Sequence, residues 1–256
     1  MAITIKTKEE IAVLREGGRR LAEILRKLEA EVWPGQTSAE LNLLAEKLVK
    51  EGGDQSAFLN YKLAGAKRPF PASLCVSVND EIVHGIPNET PKILKEGDIV
   101  SLDLGLIHKG LFTDMAITVA VGKIDASAEK LLEVTKGALA KGIASARGGG
   151  RVGHISSAIE RFVKPFGYGI VRELAGHGVG YKVHEDPFVP NFGNKNTGPI
   201  LKPGMVLAIE PMLNLGVKET VLSADGYTYK TADGKRSAHF EKTIVITEGE
   251  AEILTL

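Results

Sequence analysis

Two aspartates lie inside apolar strand sequence between Gly97 and Val121, and the need to bury them constrains this chain more than any other feature. The run Gly97-Asp98-Ile99-Val100-Ser101-Leu102-Asp103-Leu104-Gly105 surrounds Asp103 with aliphatic residues. Leu111-Phe112-Thr113-Asp114 answers it after the turn signal His108-Lys109-Gly110. The pattern predicts a hairpin. On one continuous strand, eleven positions would put Asp103 and Asp114 on opposite faces. Folded about the turn, they become near cross-strand neighbours with Cβ atoms roughly 5 Å apart. Two buried carboxylates that close are tolerated when one holds a proton or when cations sit between them. On this stretch alone, a pair of surface acids is the alternative.

Composition excludes several classes of function. The 256 residues, 43% hydrophobic and 25% charged, are enough to bury a sizeable core. Lys+Arg and Asp+Glu both total 32, so no overall positive charge recruits nucleic acid or a membrane surface, and small molecules or peptides are the expected partners. One cysteine, Cys75, precludes an internal disulfide and fits a reducing compartment. No run approaches the roughly 18 apolar residues of a spanning helix, and Lys6, Lys8, Glu9 and Glu10 leave the start without a signal-like apolar core. A cytoplasmic protein is expected.

Local signals divide the chain into two similar parts. Thr7-Lys8-Glu9-Glu10 has capping-box spacing, and Ile11, Leu14, Leu21, Leu25 and Leu28 recur at helical intervals up to Trp33-Pro34-Gly35. Thr37-Ser38-Ala39-Glu40 repeats the cap before a second helix that Gly52-Gly53 stops. Residues 54–73 read as a loop and 74–78 as a strand; helices are predicted over 126–146 and 152–164. Leu94-Lys95-Glu96-Gly97 precedes Asp103 by the same offset at which Leu201-Lys202-Pro203-Gly204 precedes Glu210. Helix, helix, then strands ending in an acid thus occurs twice. The reading is one catalytic domain, 1–256, with pseudo-repeat halves of about 1–122 and 123–256 that pool their acids at a central seam.

The remaining candidates gather around that seam. His84 stands at a strand edge beside Gly85; His177 lies within Gly176-His177-Gly178-Val179-Gly180; His184 follows on the same predicted hairpin; Glu241 enters an apolar strand. Gly-His-Gly-Val-Gly lacks both dinucleotide spacing and a Walker lysine, which argues against nucleotide binding. Two Asp, two Glu and one or two His, without cysteine, form a hard oxygen-rich set suited to Mn, Fe, Co or Zn. Four carboxylates exceed the needs of one dication, whereas two ions sharing bridging carboxylates would nearly neutralise them.

On these residues the chain resembles the type I methionine aminopeptidases of the bacterial, extension-less kind, from Thr-Lys-Glu-Glu to Ile253-Leu254-Thr255. Asp103, Asp114, His177, Glu210 and Glu241 match the family's five ligand positions in order and spacing. The resemblance implies two divalent ions (Co, Mn, Fe, Zn or Ni), with Asp103 chelating one, Asp114 and Glu241 bridging, and His177 with Glu210 completing the other. It implies substrate contact by His84 and His184. Glu210, the acid that the second half brings to the seam, is also expected to move the water's proton toward the leaving amine. Cys75, Phe70, Tyr227 and Tyr61 fall at or near pocket-lining positions. The implied fold is α+β, the pseudo-two-fold "pita bread", with antiparallel sheet covered by helices. The implied activity is removal of N-terminal methionine from peptides or nascent chains when the second residue is small. A monomer in transient contact with the ribosome is expected, with no specific nucleic acid and no membrane.

The chain departs from the family pattern in places. Asn60-Tyr61-Lys62 stands where Asn-Tyr-His-Gly-Tyr/Phe-Pro is usual, and a longer stretch then precedes Phe70-Pro71. Val83 and Val183 replace a frequent cysteine and phenylalanine, so the Lys62–Ser73 loop and the pocket rim are where substrate preference could differ. Proline-specific dipeptidases share the fold and nearly the same ligands but normally carry a large N-terminal domain. A non-catalytic binding protein and a closed structural metal site are further alternatives; the complete ligand set argues against the first, His84 and His184 against the second.

Overall fold

The computed structural model describes residues 2–62 and 65–256, so Leu63 and Ala64 of the departing loop lie outside the described residues. Helix α1 spans Lys8–Ala30 and α2 Ser38–Glu51. Both open with the predicted capping box, Thr7 with Glu10 and Thr37 with Glu40. The short strand β1 (Gln55–Ser56) follows, then β2 (Leu74–Val78), β3 (Glu81–Val83), β4 (Ile99–His108) and β5 (Leu111–Ala120). The second part runs through α3 (Ala126–Ala144) and α4 (Val152–Val163). After them come β6 (Gly169–Ile170), β7 (Gly176–Gly178), β8 (Glu185–Val189), β9 (Val206–Ile209) and β10 (Met212–Asn214). Strands β11 (Thr220–Leu222), β12 (Tyr229–Thr231), β13 (Ser237–His239), β14 (Lys242–Val245) and β15 (Glu252–Ile253) complete it.

Two sheets carry the site. In one, β4 pairs with β1, β2 and β5; in the other the order is β15-β14-β9-β7-β8, and all pairings are antiparallel. Each has its own core. Leu21, Leu25 and Leu28 of α1 and Leu41 and Ala45 of α2 pack on Val100, Leu102 and Leu104, while Leu131, Val134, Ile155 and Ile159 of α3 and α4 pack with Leu207 and Ile209. Ile117 of β5 touches both clusters. The α+β architecture with helix-covered antiparallel sheet agrees with the sequence reading.

The central hairpin corrects one expectation. Its turn has two residues, Lys109 (φ 48°) and Gly110 (φ 82°), which opposes His108 to Leu111. That register pairs Asp103 with Ala116 and Gly105 with Asp114. The aspartates are therefore diagonal neighbours on one face and not direct partners, a spacing of about 7–8 Å between Cα atoms. Side chains can close that gap.

The sheets meet along β5. Asp114 N–H donates to Thr243 Oγ1 (2.9 Å), which donates to the Asp114 carbonyl (2.7 Å). Glu241 N–H donates to the Ala116 carbonyl (2.9 Å), and Thr118 Oγ1 donates to the His239 carbonyl (2.7 Å). These bonds lay residues 239–243 against 114–118 and set an acid of the second part facing those of the first.

Candidate metal centre

Every site residue expected from the sequence lines one cavity: Asp103, Asp114, His177, Glu210 and Glu241 together with His84, His184, Tyr61, Phe70, Cys75 and Tyr227. About 50 Å³ of it is open to water-sized bodies, several times the roughly 10–15 Å³ one water occupies. It can therefore hold ions together with solvent or a substrate atom.

Asp103, Asp114 and Glu241 are all buried. Burial first, then repulsion from neighbouring acids, pushes each carboxyl well above the usual range; Asp114 acts on Asp103 and Glu241, and Glu210 acts on Asp114. Asp103 Oδ1 and Glu241 Oε1 find no hydrogen-bond partner among the described residues. Ligand atoms of Asp114, His177 and Glu241 lie within 4.8 Å of one another, and so do those of Glu210, His239 and Glu241. The two triads share Glu241. Orphaned, crowded oxygens around a common carboxylate are the donor set that divalent cations satisfy.

Backbone contacts prepare the imidazoles. His177 Nδ1 donates to the Gly178 carbonyl (2.9 Å), which leaves the Nε2 lone pair facing inward, 3.4 Å from Glu210 Oε1. His184 Nδ1 lies 2.8 Å from the Tyr61 hydroxyl, and its ring meets that of His177 edge-on with centroids 4.5 Å apart. Burial pushes His184 down to about 2 and His84 to about 4, so both are neutral near pH 7. His84 holds a left-handed backbone (φ 58°), and the next residue must be glycine, because a Cβ on Gly85 would sit 2.2 Å from the Val76 carbonyl oxygen.

The apolar side of the cavity follows from the hairpin. Cys75 of β2 is paired directly with Asp103, and burial beside that acid raises its thiol well above normal. Phe70 and Tyr227 meet edge-on (5.3 Å) within a cluster that includes Val183 and Phe58. The departing loop is closed at its neck by Asn60 N–H to the Phe70 carbonyl (2.9 Å) and Phe70 N–H to the Tyr61 carbonyl (2.8 Å). These two bonds hold Tyr61 and Phe70 side by side in the cavity wall.

Two residues escaped the sequence reading. Phe58 lines the cavity, and its only signal was its place shortly before Asn60-Tyr61. His239 is 1% exposed, with Nε2 at 3.3 Å from Glu210 Oε2 but without hydrogen-bond alignment. It lies two positions before Glu241 on an extended segment, a period-two spacing that could have flagged it.

Acids that must give up their protons to a cation link metal binding to pH. Loading metal-free protein should release protons, and apparent affinity should rise with pH. Without metal, the folded chain binds protons at Asp103, Asp114 and Glu241 more tightly than the unfolded chain, whose carboxyls lose theirs near pH 4. Stability of the metal-free form should therefore fall as pH rises from that range toward the elevated folded values. Calorimetric titration in buffers of different ionisation enthalpy, with melting curves across pH, checks both.

Acids that cannot all ionise without a counter-cation, beside a cavity that admits a substrate, are what a metal-dependent hydrolase requires. The model of metallopeptidase family M24 matches residues 12–248. The chain belongs to that family and, within it, to the methionine aminopeptidases. It is similar to methionine aminopeptidase of Aquifex aeolicus (45% identical, 100% of this chain and 99% of that protein) and methionine aminopeptidase 1 of Bacillus subtilis (46%, 99% of each). The crystal structure of methionine aminopeptidase from Thermotoga maritima superposes with a TM-score of 0.94 at 42% identity, covering 99% of each chain. A prolidase from Pyrococcus horikoshii shares the fold at TM-score 0.76 and 24% identity, with 63% of its length covered. No helix among the described residues is long and apolar enough to cross a membrane.

Proposed function

We propose that the chain, acting as one catalytic unit, hydrolyses the first peptide bond of peptides and nascent chains that begin with methionine and carry a small second residue. Two divalent ions assist it. The carrying observation is the pair of ligand triads sharing Glu241 beside an aromatic pocket. Asp103, Asp114, His177, Glu210 and Glu241 would hold the ions, which when bound supply charge neutralisation, polarisation of the scissile carbonyl and a lowered water pKa.

The chain's own groups do the rest. Glu210 is less buried than the other acids and stands between His177 and His239, placed to take a proton from the attacking water and pass it to the leaving amine. With the Tyr61 hydroxyl donating to His184 Nδ1, His184 Nε2 carries a proton and can donate to the oxygen on which charge develops. His84, neutral and buried in the same cavity, would steady the substrate amide. Cys75, Phe70 and Tyr227 offer the polarizable, aromatic wall that a thioether side chain suits.

The next side chain would lie against the acids and the histidine strands, where a long one has little room and a charged one loses water. Expected kcat/KM is high for Met-Ala, low for Met-Lys and Leu-Ala, and negligible for Ala-Pro. Norleucine should replace methionine, since such a change in an apolar pocket is worth only about 1–3 kcal/mol. Comparable values for Met-Lys and Met-Ala would overturn the size rule; preference for Ala-Pro would indicate a dipeptidase.

A further inference from the structure

Outside the cavity, Glu185, the residue after His184, is a buried carboxylate that accepts four hydrogen bonds from described residues. Its Oε2 accepts from Lys6 Nζ (2.6 Å) and Thr4 Oγ1 (2.6 Å), and its Oε1 from the backbone N–H groups of Tyr181 (2.5 Å) and Lys182 (3.0 Å). The Lys6 and Glu185 side chains are 1% and 4% exposed. The turn between β7 and β8, which ends in His184, is thus wound around one carboxylate, and that carboxylate is held from outside by a residue 179 positions earlier.

Lys6 is itself fixed on several sides. Its backbone N–H donates to the Gly204 carbonyl (2.8 Å), just ahead of the strand that leads to Glu210. Its ammonium lies 4.7 Å from the centre of the Tyr181 ring. Its stem crosses Gly180, where a Cβ would come within 2.3 Å of Lys6 Cε. A buried ion pair of this kind adds little net stability over a well-packed apolar pair.

We propose that Lys6 is a positioning residue for catalysis, locking the 180–184 turn through Glu185 so that His184 meets the substrate in its working orientation. The inference rests on the role proposed for His184. Removing the lock is expected to loosen the backbone that carries His184, whose Nδ1 Tyr61 still holds, and displacement of a catalytic group by about 1 Å can cost roughly 10²-fold in rate.

The test compares Lys6→Ala, Lys6→Arg, the neutral pair K6M/E185Q, His184→Ala and K6A/H184A, with metal content and melting curves recorded for each. K6M/E185Q leaves no unpaired buried charge and guards against simple misfolding. Expected results are full metal content, kcat on a Met-Ala peptide lowered by about 10–10² in K6A and K6M/E185Q with KM changed far less, and partial recovery in Lys6→Arg. In the His184→Ala background, losing Lys6 should cost no further rate. Normal kcat in K6M/E185Q, or a loss in K6A/H184A equal to the product of the single losses, would overturn the positioning role while leaving His184's own role intact. Normal turnover in His184→Ala would overturn the reading of His184 and the lock with it.

Discussion

Chelation is expected to abolish peptide hydrolysis completely, and Mn, Co or Fe added back to the metal-free protein is expected to restore it. Burial and mutual repulsion push the Asp103, Asp114 and Glu241 carboxyls up when no cation is present, so the metal-free site disfavours the ionised acids that a hydrolytic centre needs. The fold should survive. Two cores on separate helix pairs do not depend on the site, so helical circular dichroism should be unchanged while the melting temperature drops. The stabilisation lost is that of ligand binding, about 2.7 kcal/mol per ion present at a hundred times its dissociation constant. Full turnover in metal-free protein would refute metal dependence. A titration ending at one ion with full activity would refute the dinuclear reading alone.

Glu210→Gln should lose turnover by about 10²–10⁴, because the amide keeps the shape but cannot take the water's proton. Metal content needs measuring in the same sample, since Glu210 also stands in a ligand triad with His239 and Glu241. His184→Ala and His84→Ala should bind metal normally and lose about 10²–10³ each, the usual cost of removing one donor to developing oxyanion charge. Both histidines stay neutral because of burial, so these losses should persist across pH 6–9 and not appear as a shifted acid limb. Near-normal turnover in either histidine variant would remove it from the proposed mechanism.

Much of the fold was legible because its signals are local. Thr7 with Glu10, and Thr37 with Glu40, set two helix starts within four residues each, and the apolar stripe of α1 repeats every turn. The aspartates were readable as a pair because an acid inside an aliphatic strand is expensive and must be explained. Asp103 and Glu210 stand at equal offsets from their glycines, a weak repeat legible in the chain, and the resemblance to a known family, with His177 and Glu241, pointed to the candidate ligand set.

The amino-acid order by itself therefore determined the long helices and the central strands, and that buried acids such as Asp103, Asp114 and Glu241 must gather with histidines, but it did not mark His239 among them. Tertiary structure alone decided how they meet. The two-residue turn at Lys109–Gly110 set the register that makes Asp103 and Asp114 diagonal, and a one-residue change there would redirect every side chain on β5. Thr243 and Glu241 bind across to Asp114 and Ala116 over more than 120 positions, bringing His239 to Glu210, and Lys6 reaches Glu185 from the far end of the chain. No periodicity within one segment encodes such contacts. They arise only when two sheets, each closed over its own core, are pressed together, and the partner of a buried charge is then chosen by whichever distant segment the packing delivers.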